Sequence, residues 1–454
     1  MPDRMSHAAH ARAVLALGMP LAGSQVAQFA IGMTDTLMLG HYGVESLAAG
    51  TLGSTALFVV LLAGSGFAFA VMPMVAEALG HEDEHAARRV TRMGLWASVA
   101  YGLVLTPVLL FSEPWLRLLG QEPEVAALAG AYLRIAGWGL VPGLIAFVLR
   151  SHLAAHERTR IVLVATLAAV AVNALLDWML VFGRWGMPEL GVRGAAWASV
   201  SVQLVLMAVL VTHAVRALPG PPLLDRIWRL DREVLGRVVR VGWPIGLTNL
   251  AEVSLFAGSA VMMGWLGALA LAAHGIALQL AGLAFMIHLG LSQAATIRAG
   301  AAYGRQDPTA LARGGRAAIG LSTAFAVATA AVFVAFPRPL LGLFVGADDP
   351  DRAAILATGA SLLLVAAAFQ IADAAQVMAL GLLRGVQDTG VPMWIAAFSY
   401  WAVGIPLAYG LGFSAGLGGV GIWLGLVGGL AVAAALLMRR FWGAVLPRAA
   451  ASAA

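Results

Sequence analysis

Twelve apolar runs of about 20 residues constrain this chain more than anything else in it, because each is long enough to cross a bilayer core of about 30 Å. They begin near residues 12, 46, 92, 125, 159, 193, 237, 269, 314, 355, 390 and 417. Inside hydrocarbon every backbone N–H and C=O must be bonded within a helix or a closed barrel. The runs lack the period-two alternation of barrel strands, so they are expected to be helices. Composition agrees: 61% of the 454 residues are hydrophobic and 11% are charged, against roughly 25% charged in a soluble domain. The polar, His-bearing start runs into the first apolar segment without a cleavage-site pattern, so that segment is expected to stay as a helix. The chain has no cysteine, which excludes disulfides, thiol catalysis and Cys-based metal sites.

The basic residues orient the chain. All 28 are arginine. With a cytoplasmic N-terminus, 22 of them fall in inner segments, among them Arg88, Arg89, Arg92, Arg150, Arg158, Arg160, Arg226, Arg229, Arg232, Arg237 and Arg240. Five fall outside: Arg117, Arg184, Arg193, Arg338 and Arg352; Arg134 lies inside span four. Cytoplasmic loops carry the excess of basic charge, and the span number is even. The expectation is a multi-pass protein of a bacterial inner membrane with both termini cytoplasmic. This distribution accounts for the high pI without a nucleic-acid partner; membrane lipids are the expected surroundings.

The sequence also repeats itself. Shifted by 224 residues, it aligns with itself without a gap from span one into span three. "LGMPLAGSQVAQ" lies over "VGWPIGLTNLAE", and "LMLGHYGVESLAA" over "VMMGWLGALALAA". Gly18 meets Gly242, Pro20 meets Pro244, Gly66 meets Gly290 and Arg89 meets Arg313. Six spans per half make a parallel repeat with a cavity shared between its lobes. The expected fold is therefore an all-α integral membrane protein of twelve transmembrane helices in two six-helix pseudo-symmetric lobes. Residues 1–215 form the N-lobe, 216–236 a cytoplasmic linker and 237–454 the C-lobe. Pro20 and Pro244 remove one hydrogen bond each from the first helix of each half and mark expected bends.

Acidic residues inside the spans carry the functional expectation. A charge at mid-bilayer costs about 3 kcal/mol on insertion scales, so it faces a cavity or a partner. Asp35 lies in span one, and Asn173 and Asp177 share a face of span five at i, i+4. Two carboxylates and an amide in a half-dry pocket suit a small hard cation or a shared proton. Glu252 with Asn249 on span seven, and Asp373 with Phe369 and Gln376 on span ten, form the second acidic group. The repeat places Glu252 on Gln28 and Asp35 on Ser259, so both halves keep a polar face but distribute the acids differently. His274 and His288 on span eight are further cavity-lining candidates beside buried hydrogen bonding. His152 and His156 lack the Glu of a zinc hydrolase motif, and Met33, Met38, Met262, Met263 and Met286 read chiefly as packing.

These residues resemble the MATE (multidrug and toxic compound extrusion) family, close to its NorM branch, over essentially the whole chain. The resemblance rests on Pro20 with Asp35, "VNALLDWMLVFG" with "GVRGAAWAS", Glu252, and "DAAQVMALGLLRGVQDTGVPMW". The most specific part is the run from Arg384 to Pro392, followed by "SYW" and "GIPLAYGLG". It implies a MATE-like, twelve-helix antiporter that exports cationic, amphipathic compounds in exchange for Na⁺ or H⁺ by alternating access, without an enzymatic activity or a cofactor and with no metal beyond that Na⁺. It also implies an N-lobe polar site of Asp35, Asn173, Asp177 and Ser199, and C-lobe acids at Glu252 and Asp373. Phe369 stands where relatives of that branch often carry Tyr. A monomer is expected.

Two other readings make different demands on the sequence. A lipid-linked oligosaccharide flippase of the same superfamily should line its cavity with several cations, whereas the intramembrane charges here read as mainly acidic, with Arg134 the exception. A membrane-embedded enzyme should show a GxSxG, HExxH or phosphate-loop motif, and none is present.

Overall fold

Once a segment is apolar over this length, helix is what closes its own hydrogen bonds, and the computed structural model of the protein, which describes residues 6–216, 223, 225–346 and 348–453, is built almost wholly of helices. Twelve are long and apolar enough to cross a membrane. In the first half they are α1 (Ala8–Tyr42), α2 (Val44–Gly80), α3 (Glu84–Leu110), α4 (Pro123–Ala155), α5 (Thr159–Phe182) and α6 (Val192–Arg216). In the second they are α7 (Arg232–Trp265), α8 (Ala268–Gly304), α9 (Pro308–Ala335), α10 (Arg352–Gly385), α11 (Gly390–Ser414) and α12 (Gly418–Ser452).

The helices begin where the apolar runs do or a few residues earlier. The largest differences are at α3 and α9, and both have one cause. Asp83 and Asp307 are N-caps whose carboxylates accept from the backbone N–H of Ala86 and Ala310 at 2.8 and 2.9 Å. A cap of this kind satisfies an otherwise unbonded first-turn donor, so the helix starts in the polar segment ahead of the apolar run. The residue before each cap, Glu82 or Gln306, turns the chain with φ of 59° or 52°.

The two halves correspond further than the aligned sequence extends. Glu113–Leu118 and Pro337–Gly342, short helices after α3 and α9, sit at the same offset as Pro20 and Pro244.

Packing divides the chain into two units. One comprises residues 23–246; the other comprises the start of α1 up to Ala22 together with Leu247 onward. The divisions fall inside α1 and α7, two residues past Pro20 and Pro244, so these units are not coextensive with the sequence halves 1–215 and 237–454. The physical reason is a pair of close helix crossings. Within the first unit, a Cβ on Gly66 of α2 would lie 2.4 Å from the Gly242 carbonyl oxygen and 2.5 Å from the Gly246 nitrogen of α7. Within the second, a Cβ on Gly290 of α8 would lie 2.3 Å from the Ala22 nitrogen of α1. Small residues let membrane helices approach backbone to backbone. The opening segment of each half therefore packs on the other half's second helix. α1 and α7 are unbroken through both prolines.

In the linker, residues 217–222 and 224, which include its Pro/Gly-rich start, lie outside the described residues. The remainder docks on the start of α3. Trp96 Nε1 donates to the Ile227 carbonyl at 2.7 Å, Arg92 donates to the Asp225 carbonyl, and Arg89 donates to Asp231 Oδ2 through Nε at 3.0 Å and Nη2 at 2.5 Å.

Candidate functional site

In the first unit, four helices bring polar side chains together. Asp35 of α1 is partly exposed, while Asn173 and Asp177 on one face of α5 are fully buried. Asn173 Nδ2 donates to Asp35 Oδ1 at 2.9 Å, and Ser199 Oγ of α6 lies 3.5 Å from Asp35 Oδ2. Tyr132 of α4, buried, adds its hydroxyl 3.5 Å from Ser199 Oγ. Both carboxyl oxygens of Asp177 and Oδ1 of Asn173 are buried without a hydrogen-bond partner among the described residues. Asp35 is the charged neighbour acting on Asp177. Two ionised carboxylates have no donor between them, so such a pair calls for a proton on one of them or a cation between them. The four residues read from the sequence thus meet; Tyr132 carries no local sequence signal and was missed.

One turn or more towards the start of α1 lies a second arrangement. Arg150 of α4 is buried, and its guanidinium donates to Gln28 Oε1 at 2.7 Å, Gln25 Oε1 at 2.6 Å and Ser24 Oγ at 3.4 Å. The Phe147 ring lies 5.4 Å from it. The second unit repeats the motif: Arg384 of α10 donates to Asn249 Oδ1 of α7 at 2.9 Å. Asn249 is the repeat equivalent of Gln25, and Glu252 that of Gln28. Each half therefore has an arginine on its fourth helix that clasps the same polar stripe on its first.

Two acids of the second unit follow from this clasp: Glu252, beside it, and Asp373, on which Glu252 acts. Asp373 is fully buried, and neither of its carboxyl oxygens has a hydrogen-bond partner among the described residues; Glu252 Oε1 is likewise buried and unpartnered. Gln376 donates to the Tyr400 hydroxyl at 2.5 Å. Glu252 acts electrostatically on Asp373 and on Arg384, and all three act on Tyr400. Phe369 is buried, edge-on to Phe256 at 6.0 Å and to Trp423 at 5.5 Å.

The histidines of α8 sit in hydrogen-bonded packing. His274 Nδ1 accepts from Trp423 Nε1 at 3.1 Å, which leaves the ring proton on Nε2, 3.4 Å from Ser259 Oγ. Ser259, the repeat equivalent of Asp35, is thus in a neutral cluster. His288 Nδ1 lies 2.8 Å from Ser322 Oγ, with Phe325 edge-on at 5.2 Å.

One sequence expectation is overturned. Arg134 is not an interior cation: its side chain is 64% exposed and stands 3.9 Å from Glu113. Among the described residues, Arg150 and Arg384 do reach into the interior, and the arginine count assigns both to inner segments. Their long side chains carry the charge away from the helix end, the same reach that lets such residues snorkel. The signal available in advance was the repeat, which pairs Gln25 with Asn249 and Gln28 with Glu252.

Comparison with known proteins follows the same repeat. A family model described as MatE matches residues 20–179 and again residues 244–410, its two matches beginning at Pro20 and Pro244. The chain is 46% identical over 435 residues to a probable multidrug resistance protein NorM of Rhizobium meliloti (strain 1021), covering 95% of this chain and 93% of that protein. It is 44% identical over 434 residues to a probable multidrug resistance protein NorM of Agrobacterium fabrum, with 95% and 93% covered. Among solved structures, one described as MATE in complex with MaL6 superposes with a TM-score of 0.88 at 22% identity, covering 97% of each chain; at that identity the likeness concerns the fold.

Proposed function

On the premise that this chain belongs to the MatE family, we propose that it is a multidrug efflux transporter of a bacterial membrane which exchanges cationic, amphipathic compounds for Na⁺ or H⁺. It is a transporter and not an enzyme. The observation that carries the exchange is Asp177: both of its oxygens are buried and unpartnered beside Asp35, in spans built for a membrane. An unpaired buried carboxylate is costly, and a proton or a small cation removes the cost. Binding of that cation on one side of the membrane and release on the other supplies the drive. Exchange requires that cation and cargo lower each other's affinity, and this coupling is reciprocal.

Asp35, with Asn173, Ser199 and Asp177 around it, is the cation-coupling group. Glu252 and Asp373 attract cationic cargo or hold a coupling cation. Gln28 and Asn249 orient the arginines beside them, Gln376 lines the site and holds the Tyr400 hydroxyl, and Pro20 and Pro244 are the joints at which α1 and α7 change shape. The arginine excess favours cytoplasmic termini in an inner membrane. A second reading has one observation in its favour. Arg150 and Arg384 are interior cations of the kind that a flippase of lipid-linked oligosaccharides would use on a pyrophosphate, but both guanidiniums are engaged by Gln or Asn oxygens.

Ethidium efflux from proteoliposomes under a Na⁺ gradient and a pH gradient, imposed separately, tests the proposal. One of the two gradients should drive efflux. Efflux under neither would refute ion exchange.

A further inference from the structure

The second unit holds three ionisable groups of opposite sign in one buried neighbourhood, and their arrangement has a consequence for what the site accepts. When ionised, Glu252 and Asp373 carry two negative charges, and Arg384 carries one positive. Arg384 does not collapse onto either acid. Its Nη2 is held by Asn249 Oδ1 at 2.9 Å, one turn before Glu252 on the same face of α7. Among the described residues no ion pair joins Arg384 to Glu252 or Asp373. The acids keep three buried oxygens without partners, namely Glu252 Oε1 and both oxygens of Asp373. A fixed cation therefore acts on Glu252, which in turn acts on Asp373, while its guanidinium is held by Asn249 and pairs with neither acid.

We propose that Arg384 sets the charge capacity of this site: as a built-in cation it leaves the Glu252–Asp373 pair one positive charge short of neutrality, so that a single monovalent ion or a single monocationic cargo molecule fills it, and the two exclude each other. The proposal rests on the reading of Glu252 and Asp373 as the cation and cargo site. It follows from the cost of net charge in a low-dielectric interior. With Arg384 in place a second positive charge would overfill the site; without it, two positive charges would be needed. The first unit shows that the charge pattern is particular to the second. There the equivalent clasp, Arg150 on Gln25 and Gln28, has amides at both positions. Other polar groups facing the second site are Gln376 and Tyr400, and both are neutral.

The experiment uses full-length protein in nanodiscs. Binding of ethidium, a monocation, and methyl viologen, a dication, is measured across Na⁺ concentration at constant ionic strength, and across pH. In the wild type, the coupling cation should weaken ethidium binding by roughly 5–150-fold, the usual range for coupled sites. Arg384→Gln should abolish most of that competition and shift preference towards methyl viologen by about tenfold or more, about 1.4 kcal/mol. Arg384→Lys should keep wild-type competition, since it keeps the charge. The double variant Arg384→Gln with Glu252→Gln, whose net charge equals that of the wild type, should restore it. These last two carry the test if Arg384→Gln does not fold.

The proposal is overturned if Arg384→Gln retains wild-type charge preference and competition, if Arg384→Lys behaves like Arg384→Gln, or if the double variant fails to restore competition. The underlying site reading fails separately, and takes the proposal with it, if ethidium binding to otherwise wild-type protein is insensitive to both Glu252→Gln and Asp373→Asn.

Discussion

Arg150 of α4 donates to Gln25 Oε1 of α1 at 2.6 Å, and the same guanidinium reaches Gln28 Oε1 at 2.7 Å. A buried arginine held only by neutral acceptors has an unmet preference for a carboxylate, and charge-assisted pairs are about twice as strong as neutral ones. Gln28→Glu supplies that carboxylate at a distance already set by the fold. It should raise the thermal midpoint of the purified protein at pH 7–8. Arg150→Leu should lower it, at a cost of about 1–3 kcal/mol for the amide oxygens left without a donor. A lowered midpoint for Gln28→Glu would mean that Arg150 is compensated by something other than this clasp.

The helix crossings make opposite predictions for two glycines in similar helices. Gly66→Ala would put a methyl 2.4 Å from the Gly242 carbonyl oxygen. Backbone cannot yield as a side-chain end can, so a cost of about 1–3 kcal/mol is expected. Gly275 of α8 has open space at its Cβ position. Gly275→Ala should be neutral, or stabilising by up to about 1 kcal/mol through helix propensity. Equal thermal shifts for the two variants would contradict the crossing.

The linker contact has a defined pH window. The Asp231 carboxylate is held below its ordinary range chiefly by the Val234 backbone N–H; burial opposes this, and the Arg89 side chain adds to the lowering. A depressed folded value means that the contact is fully present above the unfolded aspartate pKa of about 3.9. It is lost as pH falls through the lower folded value. Protease nicking of the linker should therefore be constant from pH 5 to 8 in the wild type and faster at neutral pH in Asp231→Asn. A change in wild-type protection near pH 6 would assign the contact to a different group.

Glu252 and Asp373 share one neighbourhood, so their variants should couple. Glu252→Gln and Asp373→Asn should each lower efflux of cationic dyes. The double variant should be little worse than the poorer single, because residues serving one bound species are non-additive. Logarithmic losses that add would place the two acids at separate steps.

Much of this was legible in the sequence, for identifiable reasons. The twelve helices follow from the cost of an open backbone in hydrocarbon, and the repeat follows from Gly and Pro positions that answer backbone needs. Asn173 and Asp177 announce themselves by helical spacing and by the expense of a charge in a span. Tyr132 does not, because an aromatic in an apolar run reads as packing until its hydroxyl is placed beside Ser199. Arg150 and Arg384 look like inner-loop charges when they are counted, since a sequence position fixes the Cα and not the far end of a long side chain. Arg134 errs in the reverse direction: it starts inside a span and reaches out to Glu113. His274 and His288 had two readings from their positions alone, and the structure supplies Trp423, Ser259 and Ser322 as their neighbours.

The central claim is that the carboxylate pair of Asp35 and Asp177 couples an ion gradient to cargo export, and Asp35→Asn tests it most directly. The substitution keeps size and the bond from Asn173 while removing the ionisable group. The measurement is ethidium efflux from proteoliposomes containing wild-type or Asp35→Asn protein, driven by the gradient that the wild type uses, with ethidium affinity determined on the same preparations. The account predicts that gradient-driven efflux collapses while ethidium affinity stays within about tenfold of wild type. Efflux by Asp35→Asn at the wild-type rate would contradict it.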